Sequence, residues 1–291
     1  MSRRTARSVE QDSRGILDPG EFRKRVTLTR YPTAEPLAGL IEFLWVVSYD
    51  LPEGLVHEQQ MITYPCVNLS IAHGQVEEDG RLRPVEATVT GVVRQLYTRR
   101  IAGTGWGVAA KSTPGGFGAF IPGPVADLTD QVLPVSRVLP LDEAALIAEV
   151  VAAGTEPERV EVLQAALVRA LAAAEAADPD RKRGALEVAA VAAMAEADRS
   201  VRKLDDLAVA SGIGARTLQR MFAEFAGISP TWVLRRYRLL DAAETVRHGR
   251  PVVWAQVAAD LGYSDQAHLV RDFRAAVGTT PAAYAAQQHA F

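Results

Sequence analysis

Between Arg25 and about Arg137, apolar and polar positions alternate in short runs. RVTLTRY, FLWVVSYDL, VNLSIAHG, ATVTGVVR, QLYTRRIAG and GWGVAAK are rich in Val, Ile, Thr and aromatics, with Gly, Pro and Asn/Asp between them. Such runs mark strands, and several at this spacing predict a barrel- or sandwich-like β domain. PGGFGAFI predicts a turn and then one helical turn. From Asp142 the period changes. LDEAALIAEVVAAG and EPERVEVLQAALVRALAAAEAAD place apolar residues three and four apart, as amphipathic helices do. Leu163, Leu167 and Leu171 form one stripe, with Val160 and Val168 beside it. This helical pair is a connector, a dimer interface, or a pair packed on its own domain, and the pattern fits all three. DPDRKRG follows as a linker, with Pro179 and Gly184 as breakers.

Everything after Gly184 is helix and turn, and it contains an internal repeat. LAVASGIGARTLQRMFAEFAGISPTWV starts at Leu207, and VAADLGYSDQAHLVRDFRAAVGTTPAAY starts at Val257. Ala208 aligns with Ala258 and Gly212 with Gly262. After one inserted residue, Leu218 aligns with Leu269, Arg220 with Arg271, Phe222 with Phe273, Gly227 with Gly278 and Pro230 with Pro281. Each copy has the parts of a helix-turn-helix. A small residue allows the second helix to come close, and a glycine ends the first helix where a left-handed backbone is needed. Ile213 or Tyr263 plugs the corner. Ser264 is the expected N-cap of the second unit's second helix, and Gly214 a weaker cap in the first. Leu218, Phe222 and Phe225 should face inward in one unit, and Leu269, Phe273 and Val277 in the other.

The opposite faces are polar: Arg216, Thr217, Gln219 and Arg220 in the first unit, and Ser264, Asp265, Gln266, His268 and Arg271 in the second. Arg and Gln are residue types that read base edges in the major groove. A helix from about Pro230 to Val246, opened by Ser229-Pro230 as cap and first-turn proline, would hold the units at a fixed separation through Leu239, Leu240, Ala243 and Val246. Arg235, Arg236 and Arg238 on it are expected to meet phosphates.

Charge changes the picture only when divided. The whole chain carries −3. Residues 181–291 hold 15 Lys/Arg against 11 Asp/Glu, a balance of +4, so the remainder carries −7. Most of that lies between Val138 and Asp180, with two basic and nine acidic residues. A basic part behind an acidic segment fits one region that meets phosphates and another that does not.

The run from about Leu186 to Tyr284 resembles the DNA-binding domain of AraC/XylS-type transcription regulators. Ala258, Gly262, Tyr263, Ser264, Asp265, Arg271, Phe273, Gly278, Thr280, Pro281 and Tyr284 carry the resemblance. Leu269-Val270 departs from the Phe-Ser usual there, and Ala285 from the usual Arg. The resemblance implies base contacts at Arg216, Gln219, Arg220, Gln266 and Arg271, with phosphate the alternative for Arg271. YPCVNLSI, GVV, GTGWGVAAKSTPGGFGAF and PVADLTD resemble the front domain of a subgroup of these regulators whose function is undefined. Family analogy makes that part the sensor and sometimes the dimerisation module.

A pocket in the front domain is expected, with Trp45, Tyr64, Asn68, Trp106 and Phe117 as candidate walls. His57, Glu58 and His73 lack the tight pairing of a metal-binding His site, so no metal or cofactor is expected. Cys66 is expected as a small buried residue, and PGGF lacks the Lys-Ser/Thr of a phosphate loop. No catalytic set stands at a recognisable motif, so the chain is not expected to be an enzyme.

The expected class is α+β. It comprises a disordered tail (1–24), a ligand-sensing β-rich domain (25–137), a helical connector (138–182) and an all-α tandem helix-turn-helix domain (183–291). Double-stranded DNA and an unknown small-molecule effector are the expected partners, with RNA polymerase and a second copy as further candidates. No membrane partner is expected, and the cytoplasm is the expected compartment. Two alternatives stay open for the front domain: a small-molecule-modifying enzyme, or a module that only dimerises.

Overall fold

The alternating runs of the front half pair into one antiparallel sheet. The computed structural model describes residues 14–77, 79–247 and 253–289. Among these, the sheet has seven strands: β1 (Thr27–Tyr31), β2 (Ile41–Asp50), β3 (Val56–Ile62), β4 (Asn68–Gln75), β5 (Glu86–Thr90), β6 (Leu96–Ser112) and β7 (Val132–Pro134). The order is β1-β2-β6-β4-β5-β7, with β3 pairing β6 beside that path. QLYTRRIAG and GWGVAAK, expected as two strands, are the two halves of β6. Its first half pairs with β3, from Leu96↔Ile62 to Ala102↔Val56, and its second half lies between β2 and β4. The glycines that suggest a break serve the sheet: Gly103 takes φ +58, and a Cβ at Gly105 would collide with the Tyr49 ring.

Period two gives the sheet two unlike faces. Leu44 and Val46 on β2, Leu69 and Ile71 on β4, and Val108 and Ala110 on β6 are buried in the main core. Phe43, Trp45, Val47 and Tyr49 on β2, with Asn68, Ser70 and Ala72 on β4, face a cavity on the other side. Two helices, α2 (Glu143–Ala152) and α3 (Glu156–Ala177), follow the sheet. Thr155 and Glu158 form a capping box at the start of α3. α3 lies against β2 and β6, and its Leu163, Leu167 and Leu171 stripe is buried in the core. Of the three readings open for this pair, packing on its own domain is the one observed.

Two boundary expectations need correction. Residues 1–13 of the expected tail lie outside the described residues, but from Arg14 the chain is built into the fold. Ile16 bridges Met61, the Leu17 amide donates to the Gln60 carbonyl, and Leu17 is buried. A short helix, α1 (Pro19–Arg25), then opens with Asp18 as its cap. The expected linker is only a short turn after α3, because α4 (Arg181–Ala197) already contains Gly184. Gly184 is there for packing: a Cβ on it would lie 2.5 Å from the Phe225 ring, and one on Gly118 would lie 2.7 Å from the same ring.

The remaining helices are α5 (Leu204–Ser211), α6 (Ala215–Met221), α7 (Pro230–Arg247), α8 (Trp254–Asp260), α9 (Gln266–Val277) and α10 (Pro281–His289). A π-turn over Phe222–Ala226 continues α6. Ser229 caps α7, its Oγ accepting from the Trp232 amide. Leu239, Leu240 and Ala243 are buried, while the Val246 side chain lies outside the described residues. Sheet, α3 and the C-terminal helices share one continuous core. Polar contacts join them too. Arg181 donates to the carbonyls of Gly118, Pro122 and Gly123 and to Glu224, and Thr129 Oγ1 donates to the Gly227 carbonyl.

Candidate nucleic-acid interface and ligand cavity

In the first unit, Gly212 ends α5 at φ +69, and Gly214 precedes α6 without a side-chain cap. Leu207, Leu218 and Phe222 are buried and fix the angle between α5 and α6. Arg216, Thr217, Gln219 and Arg220 are all exposed. Their side chains make no hydrogen bond or ion pair among the described residues. Phe225 is only half-buried, its ring lying between Gly118 and Gly184 beneath the Arg181 guanidinium.

The second unit repeats this build. Gly262 takes φ +72, and the Tyr263 amide donates to the Ala258 carbonyl. Asp265, not Ser264, caps α9: its Oδ1 accepts from the His268 amide at 2.7 Å. That bond is the main reason the carboxyl lies below its usual range. Asp265 therefore caps α9 while its carboxylate stays exposed. His268 is half-buried, edge-on to Tyr263 and 3.1 Å from Ser264 Oγ. Leu269, Phe273 and Val277 are buried, leaving Gln266, Arg271 and Arg274 exposed.

The three arginines expected at phosphates do other work. Arg236 is 3% exposed and donates to the carbonyls of Val93 and Arg94, with its guanidinium 4.4 Å from the Trp232 ring centroid. Burial pushes its pKa down to about 10. Arg238 donates to the Gly262 carbonyl and covers the buried Tyr263 ring. Arg235 is exposed, but it holds Asp272 on α9 with two hydrogen bonds of 2.7 and 3.2 Å. α7 thus clamps the second unit through Arg235 and Arg238 and the loop between β5 and β6 through Arg236. The sequence gives no signal for these partners, which lie 24 to 143 residues away.

The cavity on the other face of the sheet has a volume of about 210 Å³. Trp45, Tyr64, Asn68 and Trp106 are in its wall. Phe117 is not: its ring is 2% exposed and packs 5.7 Å from Phe120 in the core behind the sheet. Four cations that sequence reasoning missed line the cavity: Arg14, Arg30, Arg99 and Lys111. Lys111 Nζ stands 3.8 Å from the Tyr64 ring centroid and pairs with Glu42. Cys66 also lines it, and burial pushes the thiol up to about 11, away from thiolate chemistry.

Part of the cavity wall is also the surface that meets α7. Arg14 reaches Asp241 on α7 at 2.7 Å and Glu196 on α4 at 3.1 Å. The Leu17 carbonyl accepts from Tyr284 on α10. The Val93 and Arg94 carbonyls are the ones Arg236 holds.

Elsewhere, His57 contacts Gln59, and among the described residues no group of three or more His, Cys, Asp or Glu could hold a metal ion. No described helix is long and apolar enough to cross a membrane.

Comparison with known proteins matches two regions of the chain. Residues 207–287 match a helix-turn-helix domain, and residues 29–134 match a domain of unknown function, DUF6597. The chain is similar to the probable transcription factor PqrA of Proteus vulgaris, 34% identical over 82 residues. That match covers 28% of this chain and 66% of PqrA's length. It is also similar to the DNA-binding domain of the global transcriptional factor AdpA, solved with a target DNA. There the identity is 27% and the TM-score 0.32, over 36% of this chain and 94% of that one. Unsaturated fatty acid-bound ToxT of Vibrio cholerae strain SCE256 matches at 10% identity and TM-score 0.37, over 85% of this chain and 96% of that one.

Proposed function

The chain is an AraC/XylS-type transcription regulator with a DUF6597 domain in front, and from that premise we propose that a small molecule held in the sheet cavity governs how its two helix-turn-helix units meet DNA. The observation that carries this reading is the shared wall. Arg14, Gly15, Ile16 and Val93 line the cavity, and the same short segments touch Leu240, Asp241 and Arg236 of α7. α7 joins the two units, so an occupant that shifts those segments changes the contacts that set their separation. A ligand moves such an equilibrium only through differential contacts with its states, and this wall is the surface on which we place them.

On the DNA side, α6 offers Arg216, Thr217, Gln219 and Arg220, and α9 offers Gln266 and Arg271, to successive major grooves on one face of the duplex. Ser264 and His268 sit at the start of α9 and support its cap. The reading can be tested without knowing the effector. A preferred duplex is first selected from a random pool with the purified protein. Ala72→Phe then fills the cavity from β4. Its affinity for that duplex should change by about fivefold or more, the lower range of allosteric coupling. An affinity unchanged by the filled cavity, in a protein that still folds, would sink the reading.

A further inference from the structure

We propose that the cavity takes a carboxylate-bearing ligand with an apolar body, and that Arg99 receives the carboxylate. This rests on the effector reading above and names the chemical class of the effector.

The argument begins with charge. Four cations line the cavity, and its described wall contains no Asp or Glu. Among the four, Arg14 reaches Glu196 and Asp241 beyond the wall, and Lys111 reaches Glu42. Arg99 has no carboxylate partner among the described residues, and its Nε is buried without a hydrogen bond. It lies on β6 opposite Gln59, with the Trp45 ring centroid at 5.9 Å and that of Tyr97 at 6.0 Å. A half-buried guanidinium held only by ring faces keeps its planar fork open to a bidentate anion.

The rest of the cavity is suited to an apolar body. Phe43, Trp45, Val47, Met61 and Trp106 are in its wall, with Gln59, Thr63, Asn68, Ser70, Gln75 and Thr90 as neutral polar neighbours. A dry cavity of about 150 Å³ holds a benzene ring. At about 210 Å³ this one has room for a ring or a short chain together with a head group. Aryl and alkyl carboxylates share that chemistry.

Trp45 and Trp106 line the cavity, whereas Trp232 and Trp254 lie on α7 and α8, so tryptophan fluorescence reports occupancy. The full chain is titrated with 4-phenylbutyrate and octanoate, and with their neutral primary amides. The expected result is quenching by a carboxylate, with its amide weaker by about ten- to a hundredfold, as for a lost charge-assisted bond. Arg99→Gln should remove that preference and Arg99→Lys should restore part of it. Preference for the phenyl or the alkyl acid would separate the two sources. Amides that bind as tightly as acids, or Arg99→Gln binding acids as the parent does, would overturn the assignment. So would no quenching by any of the four at millimolar concentration. None of these outcomes bears on the Ala72→Phe test, by which the effector reading stands or falls separately.

Discussion

Replacing Arg236 by Met keeps most of the side-chain length and removes the guanidinium. The Arg94 carbonyl loses a charged donor, while the Val93 carbonyl keeps the Thr63 hydroxyl as a partner. A hydrogen bond from a charged group contributes about 1.5–3 kcal/mol, and the cation over Trp232 adds about 1 kcal/mol. Opposing this, burial already disfavours the cation, and Nη1 has no partner. The net destabilisation should be about 1–3 kcal/mol, or roughly 2–12 °C in melting temperature at about 2–4 °C per kcal/mol. The assay pairs thermal unfolding with DNA affinity measured across a salt series. A phosphate-binding residue would behave in the opposite way: stability would hold, and the slope of log affinity against log salt would flatten by about 0.9. An unchanged melting temperature with a flattened slope would refute the interdomain role of Arg236.

Three further outcomes follow from the geometry. Arg220→Ala should weaken binding to the selected duplex by about 1–3 kcal/mol and relax preference at one position, which repeated selection with the variant would detect. Gly118→Ala should lower the unfolding midpoint, because the added Cβ meets Phe225 at its ring and, 3.0 Å away, at its Cα; a midpoint at or above the parent's would contradict that packing. For Cys66, the unfolded thiol ionises near 9.0 and the folded one near about 11. The folded state therefore holds the proton longer, so this group's stabilisation is complete below pH 9 and is lost as pH rises toward 11. Urea midpoints should fall across that window less steeply in Cys66→Ala than in the parent.

The repeat was legible because each helix-turn-helix needs its special residues at fixed local offsets: Gly212 and Gly262 at left-handed turns, Leu218 and Leu269 buried behind them. The sheet was legible where alternation separates a dry face from a polar one, as on β4. It failed on β3, where two of the three buried positions are His57 and Gln59, with only Ile62 apolar, and the period carries little apolar signal. It failed again on β6, where glycines that resemble breakers make room for a ring. The cap of α9 fell one residue late because Ser264 and Asp265 are both good caps, and only the backbone path chooses between them. Phe117 was misplaced for a similar reason: a tight turn around Gly115, at φ +89, sends its ring to the core rather than the cavity.

The arginines carry the clearest lesson about charge. The positive balance of residues 181–291 drew attention to DNA, yet many of those cations have partners within the chain. Arg181 pairs with Glu224, Lys182 with Glu175, Arg199 with Asp241 and Arg235 with Asp272, while Arg236 and Arg238 hold carbonyls. These contacts join α4 and α7 to the sheet, to α3 and to the second unit. Arg216, Arg220, Arg271 and Arg274 differ: each is exposed and has no ion pair among the described residues. All four stand on α6 or α9, the second helices of the two units. Total charge is thus a poor guide to the interface; of the six exposed cations of residues 181–291 without an ion pair among the described residues, four stand on the candidate recognition helices and the other two, Arg202 and Lys203, just before α5. The same logic separates two classes of basic residue. Losing one of the exposed four should cost DNA affinity and little stability, while losing one of the internally held set should cost stability first and reach DNA only through the position of α7.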